Sequence, residues 1–258
     1  VTITGIVIDD TPLVGIVVGA DKVSILNSTI RGTGQHGIYL SVANDVKIEG
    51  NEIHEITVDN TELVTQSGIK VKISNNVLIK NNRLSQFHAN SFGILVGRNS
   101  NSVSIINNRI TLSDKSQVGL RLHSKSVSTG NIIDGGMGYS GSYAIDVKEG
   151  TSALIIDTQI IGAWIASPVI VRNPAVDTKF NNIVITKIAI SGKYKCKDNN
   201  GCNTTFKDDF YVFVEPKTSF PPSTGGVIFD DFVITDAMWD AYESWGWSFT
   251  AYGFKIDY

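Results

Sequence analysis

The sequence predicts an all-β chain wound as a parallel β-helix, a solenoid of about nine coils. Three observations predict it. The first is a repeat, clearest in residues 77–110, VLIKNNRLSQFHANSFGILVGRNSNSVSIINNRI. Val77-x-Ile79 opens a copy, the chain turns at Asn81-Asn82 and continues to Leu84. A variable loop follows, then Gly93-Ile94-Leu95-Val96, and the pattern restarts at Val103. Alternation of apolar with other residues marks each short run as a strand with one buried face. One copy cannot bury that face alone, so copies must stack.

The second observation is register. Copies begin at Val1, Val23, Val46, Val77, Val103, Ser126, Ala153, Ile183 and Val227. Each reaches Leu or Ile at one fixed offset: Ile8, Ile30, Ile53, Leu84, Ile110, Ile133, Ile160, Ile190 and Ile234. A second apolar column follows the variable loop, from Ile16/Val18 and Ile38/Leu40 through Ile69/Val71, Ile94/Val96, Leu120/Leu122, Ile145/Val147, Val169/Val171 and Val212/Val214 to Phe254/Ile256. Coils therefore hold three short strands, and insertions fall in loops. The third observation is the turn. Asn51, Asn82, Asn108 and Asn131 share one position in four successive copies. Stacked amides there bond their neighbours and tolerate the bent backbone, a structural ladder rather than a ligand site.

With these columns the chain resembles the pectin-lyase-like right-handed β-helix superfamily. The resemblance is architectural and spans nearly the whole chain. It implies a right-handed coil. It also implies a range of activities, because the superfamily groups polysaccharide lyases, glycoside hydrolases, uronate epimerases, phage tailspikes and adhesins. Fold alone does not choose among them. In GTGQHGIYL, His36 beside Gly37 is similar to the Gly-His-Gly element of polygalacturonase-like hydrolases. The paired aspartates and Arg-x-Lys element expected with it are not found in corresponding coils. His36 is accordingly read as a loop residue packing its ring.

Taken in order, the first two coils are compact. Coil three carries a longer loop over 54–67, coil four SQFHANSF over 85–92, and coil six the glycine-rich loop 134–143. Tyr139 and Tyr143 in the last of these suit the apolar faces of sugar rings, or simply cover the solenoid flank. Coil seven adds Trp164. Residues 1–190 read as regular coils and 191–258 as elaborated C-terminal coils and a cap, all in one domain. In the cap, 235–246 reads as a short helix closing the core, with Met238, Tyr242 and Trp245 on one face. Cys196 and Cys202 flank the turn Asn199-Asn200-Gly201. A disulfide there implies an oxidising compartment; two free thiols or a weak metal site are the alternatives.

Composition narrows the partners. Net charge is −3, so no global basic field draws the chain to nucleic acid or membrane. No apolar run is long enough for a transmembrane helix. No signal peptide is visible, and the first residues already read as a strand. An uncovered first coil is an open sheet edge, so a preceding segment, a partner domain or a second copy is expected to cover it. No cofactor motif is present. Asp9-Asp10 and Asp230-Asp231 could meet calcium, but neither sits in a recognisable loop motif. The expected location is extracellular, at a cell surface or on a virion.

The resemblance places the substrate groove on the strand after the longest loops. Its outward positions are Val17, Tyr39, Lys70, Leu95, Arg121, Asp146, Ile170, Phe213 and Lys255. The short turn beyond adds Lys72, Arg98, His123, Lys125, Lys148, Glu149 and Arg172. The middle of this strip is basic within an acidic chain, which suits a carboxylated or sulfated glycan. In β-elimination, Arg121 or Lys72 would neutralise a uronate and His123 or Lys148 would take the proton. In hydrolysis, two carboxylates are needed, and Asp146, Glu149 and Asp134 are the candidates. Tyr39, Lys70, Lys72, Arg98, Arg172 and Tyr139 would bind the sugar. The competing readings are a glycan-holding tailspike or adhesin module and a structural module that assembles through its coil ends.

Overall fold

The structure, a computed structural model, describes residues 1–56, 65–137, 142–148, 151–163, 168–171, 178–185, 212–214 and 228–234. Six coils are seen with three separate strands. They are β1 (Thr2–Thr4), β2 (Val7–Thr11) and β3 (Val14–Val18); β4 (Ser24–Leu26), β5 (Thr29–Thr33) and β6 (His36–Ser41); β7 (Val46–Glu49), β8 (Glu52–Ile56) and β9 (Gln66–Lys72); β10 (Asn75–Lys80), β11 (Arg83–Phe87) and β12 (Ser91–Val96); β13 (Asn101–Ile106), β14 (Arg109–Thr111) and β15 (Val118–Leu122); β16 (Ser126–Thr129), β17 (Ile132–Met137) and β18 (Tyr143–Val147). The later copies contribute β19 (Ala153–Ala163), β20 (Val169–Val171), β21 (Lys179–Ile185), β22 (Val212–Val214) and β23 (Ile228–Ile234). The third strands form one sheet, β3-β6-β9-β12-β15-β18-β20-β22; the first and second strands join in another. Each strand pairs in parallel with its counterpart one coil on. The described residues contain no helix.

The columns follow the repeat. Val46, Val77, Val103, Ser126 and Ala153 lie side by side. Ile30, Ile53, Leu84, Ile110, Ile133 and Ile160 do likewise and are buried. They form one continuous apolar core with the pairs from Ile38/Leu40 to Val169/Val171. Burying each such side chain stabilises by roughly 1.5–3 kcal/mol, so the stacked columns are the main source of stability.

The eighth copy departs from the expected register. Leu154 faces Lys179 and Ile160 faces Ile185, so that copy begins at Thr178, not at Ile183. The single strand β21, KFNNIVI, covers the places of both the first and the second strand of its copy, and the apolar alternation Ile183-x-Ile185 belongs to the second. Asn182 marks the true turn, with φ of 49° and its amide on Asp157 Oδ1 at 2.8 Å. Ile190 lies outside the described residues. So do Phe254/Ile256, the 235–246 helix and the Cys196–Cys202 hairpin.

The turn ladder is continuous. Asn51 N and Nδ2 both donate to Asn82 Oδ1, at 2.9 and 3.0 Å. Asn82 repeats this on Asn108, and Asn108 on Asn131. Each amide also donates to a core-strand carbonyl, as Asn82 does to Ile48 O at 3.0 Å. The ladder thus satisfies buried donors and acceptors that the bend strips from the sheet. The residue before each rung is left-handed, with φ of 69° at Gly50, 56° at Asn81, 53° at Asn107 and 64° at Gly130. Gly and Asn tolerate this region best. At the seventh copy Thr158 replaces the rung and bonds Ile156 O instead. There the first two strands run together as the 11-residue β19.

A second column was unforeseen. Gly15, Gly37, Gly68, Gly93 and Gly119 precede the third-strand apolar pairs, and each would aim a Cβ into the core. At Gly93 that atom would sit 2.6 Å from Ile110 Cγ2 and 2.7 Å from Gly119 O. Gly93→Val is therefore expected to cost about 1–3 kcal/mol, the usual range for overpacking, read as a lower urea midpoint.

Candidate functional site

Because the glycine position faces the core, the residue just before it turns away from the core, while the residue just after it belongs to the apolar core. Each coil of the third-strand sheet presents a residue just before the glycine, or before Ala144 in the sixth coil, and another three positions later. The first set runs His36, Ser67, Phe92, Val118, Tyr143; the second runs Tyr39, Lys70, Leu95, Arg121, Asp146. Register places Val17 before Tyr39 and Ile170 and Phe213 after Asp146. The strip predicted from the repeat is therefore assembled in the expected order.

Its exposure is not as expected. Val17 is 62% exposed, but Leu95 is 6%, Ile170 1% and Asp146 0%. Phe92, Leu95 and Val118 form an apolar cluster outside the main core, with Tyr143 packed against it. The Arg121 guanidinium lies 4.2 Å from the Phe92 ring centroid. Its Nη2 and Nε reach Asp146 Oδ2 at 2.7 and 3.0 Å, and Lys148 Nζ reaches the same oxygen at 3.0 Å. Two cations thus compensate a fully buried carboxylate. Asp146 is held rather than presented to a water, and Arg121 and Lys148 are committed to holding it. The hydrolytic role for Asp146 and the base role for Lys148 lose their geometric support. Asp134 lies on β17 in the other sheet, with Arg109 Nη2 at 3.6 Å from its carboxylate. Tyr139, Glu149, Arg172 and Lys255 lie outside the described residues.

What remains open follows the strand ends. Val71, Val96, Leu122 and Val147 are in register, so Lys72, Gly97, His123 and Lys148 follow them on successive coils. Coils are about 4.8 Å apart. Gly97, between Lys72 and His123 on this row, carries no side chain. Lys72, Arg98 and Lys125 are exposed and His123 is half-buried. Burial lowers the His123 pKa to about 4, aided by Arg121, Lys148 and Arg98 and opposed by Asp146. The imidazole is therefore neutral at neutral pH and able to accept a proton.

Lys70 stands at the N-terminal side of this row. Burial lowers its pKa, the Tyr39 side chain opposes that shift and Lys72 adds to it. Its Nζ lies 5.5 Å from the Tyr39 ring centroid. His36 is buried, not a loop residue, because it opens β6. Among the described residues no group of three or more His, Cys, Asp or Glu could hold a metal ion. Asp9 is paired with Arg31 at 2.6 Å. No helix among them is long and apolar enough to cross a membrane.

Sequence reasoning gave no site role to Phe92, whose ring lies against the Arg121 guanidinium, or to Ser67, whose Oγ lies beside His36 Nδ1. The signal was available: both immediately precede a glycine of the inward column.

Fold and strip define an all-β parallel solenoid with a cationic row along one sheet. The family of the right-handed beta helix region matches residues 14–182, and the chain belongs to that family. No curated protein and no solved structure gives a match. The fold is one used by carbohydrate-active and by structural β-helix proteins.

Proposed function

We propose that the row formed by Lys70, Lys72, Arg98, His123 and Lys125 binds an acidic polysaccharide outside the cell and cleaves it by β-elimination. The observation that carries this reading is His123: a neutral imidazole on an accessible row, ringed by cations. Lys72 and Arg98 supply charge for a uronate carboxylate, which acidifies the adjacent C5–H. His123 takes that proton, the C4–C5 double bond forms and the C4–O bond breaks, with water protonating the departing oxygen. Hydrolysis by a carboxylate pair is disfavoured because Asp146 is buried and clamped.

A panel of polyuronates tests this. Elimination gives an unsaturated uronide seen by absorbance. His123→Ala should lower turnover by about 10²–10⁴ while leaving binding close to the parent, as loss of a general base does. The rate should be flat near neutrality and fall as pH drops through about 4, where His123 takes up its proton. New reducing ends without unsaturated product would contradict elimination. Binding without any product would favour the glycan-holding reading.

A further inference from the structure

The buried pair His36 and Ser67 has no role in that chemistry. Ser67 Oγ is 3.1 Å from His36 Nδ1, and Lys70 Nζ is 3.5 Å from His36 Nε2. An ammonium only donates, so Nε2 must accept. The proton of this neutral ring then sits on Nδ1 and is donated to Ser67 Oγ. Neutrality follows from burial and the adjacent Lys70 charge, which lower the His36 pKa to about 3. The ring also lies 5.4 Å from that of Tyr39. The same position on the next two coils is apolar, Phe92 and then Val118. A polar pair thus replaces an apolar one beside Lys70. Arg121 and Lys148, two further half-buried cations of the strip, are likewise oriented, by buried Asp146.

We propose that His36 and Ser67 are positioning residues that hold the Lys70 ammonium as a fixed anion anchor at the N-terminal end of the strip. As an anchor for a glycan carboxylate, this rests on the function proposed above. The hydrogen-bond chain itself does not. Fixing the ammonium before binding lowers the ordering cost of a flexible lysine.

Nitrogen-15 NMR of histidine decides the matter in the whole protein at neutral pH. His36 should show the Nδ1–H tautomer, and Lys70→Met should shift it toward Nε2–H. Wild-type His36 in the Nε2–H form, or no change in Lys70→Met, would overturn the proposal whether or not the protein binds glycan. In polyuronate binding, His36→Leu should weaken affinity about three- to tenfold, the worth of one ordinary hydrogen bond. His36→Gln, which keeps an acceptor, should bind close to wild type. Equal loss in both variants would also overturn it.

Discussion

Arg121→Ala should lower the unfolding free energy by about 1.5–3 kcal/mol, the usual worth of hydrogen bonds to a charged group, because Asp146 still keeps Lys148. Asp146 is fully buried, and Arg121 supplies two of the contacts to its Oδ2. Lys148 remains at 3.0 Å after the substitution, but one point charge does not replace a planar fork. Arg121 also covers the Phe92 ring, so part of the loss is packing. Asp146→Asn in the same chain should recover much of the stability, because the buried group is then neutral. Urea unfolding of the three proteins measures this. A single variant as stable as the parent, or a double variant no better than the single, would show that charge burial is not what Arg121 relieves.

Acid should destabilise the fold from about pH 6.5 downward. His36 has its pKa lowered from 6.5 to about 3, with burial the larger cause and Lys70 the smaller. Below pH 6.5 the unfolded chain binds a proton that the folded imidazole refuses. Stability is therefore fully present above about pH 6.5 and is lost progressively as pH falls toward 3. One pKa unit corresponds to about 1.4 kcal/mol, so His36 alone accounts for up to roughly 4–5 kcal/mol over that range. His123 acts in the same direction between about 6.5 and 4, with a smaller effect because it is half exposed. In His36→Gln the dependence of unfolding free energy on pH between 6 and 4 should be visibly shallower. An unchanged slope would mean that His36 titrates normally in the folded protein.

The inward columns were legible because their cause is local. A two-residue period and a recurring turn set which side chains face the core, and these stacked as read from Ile8 to Ile160. The eighth copy was misread because apolar alternation does not say which of two consecutive strands it belongs to. Only Asn182 stacking on Asp157 resolves that. The order of the strip was legible for the same reason as the core: the register that aligns Leu120 with Ile145 also aligns Arg121 with Asp146. Its burial was not legible, because that depends on chain from other coils. Asp146 read as an accessible acid and is fully buried. The His36–Ser67–Lys70 chain joins residues 31 and 34 positions apart, and no local pattern links them.

Calorimetric titration of the protein with a soluble polyuronate at low and at near-physiological salt tests the central claim most directly. The expected result is binding at low salt that weakens as salt rises, since exposed charges are screened over about 8–10 Å. The double variant Lys72→Gln/Arg98→Gln should lose most of that affinity, while Lys179→Gln, an exposed lysine on the other sheet, should not. No binding at low salt, or equal binding by the double variant and the parent, would contradict the claim that this cationic row is the functional surface.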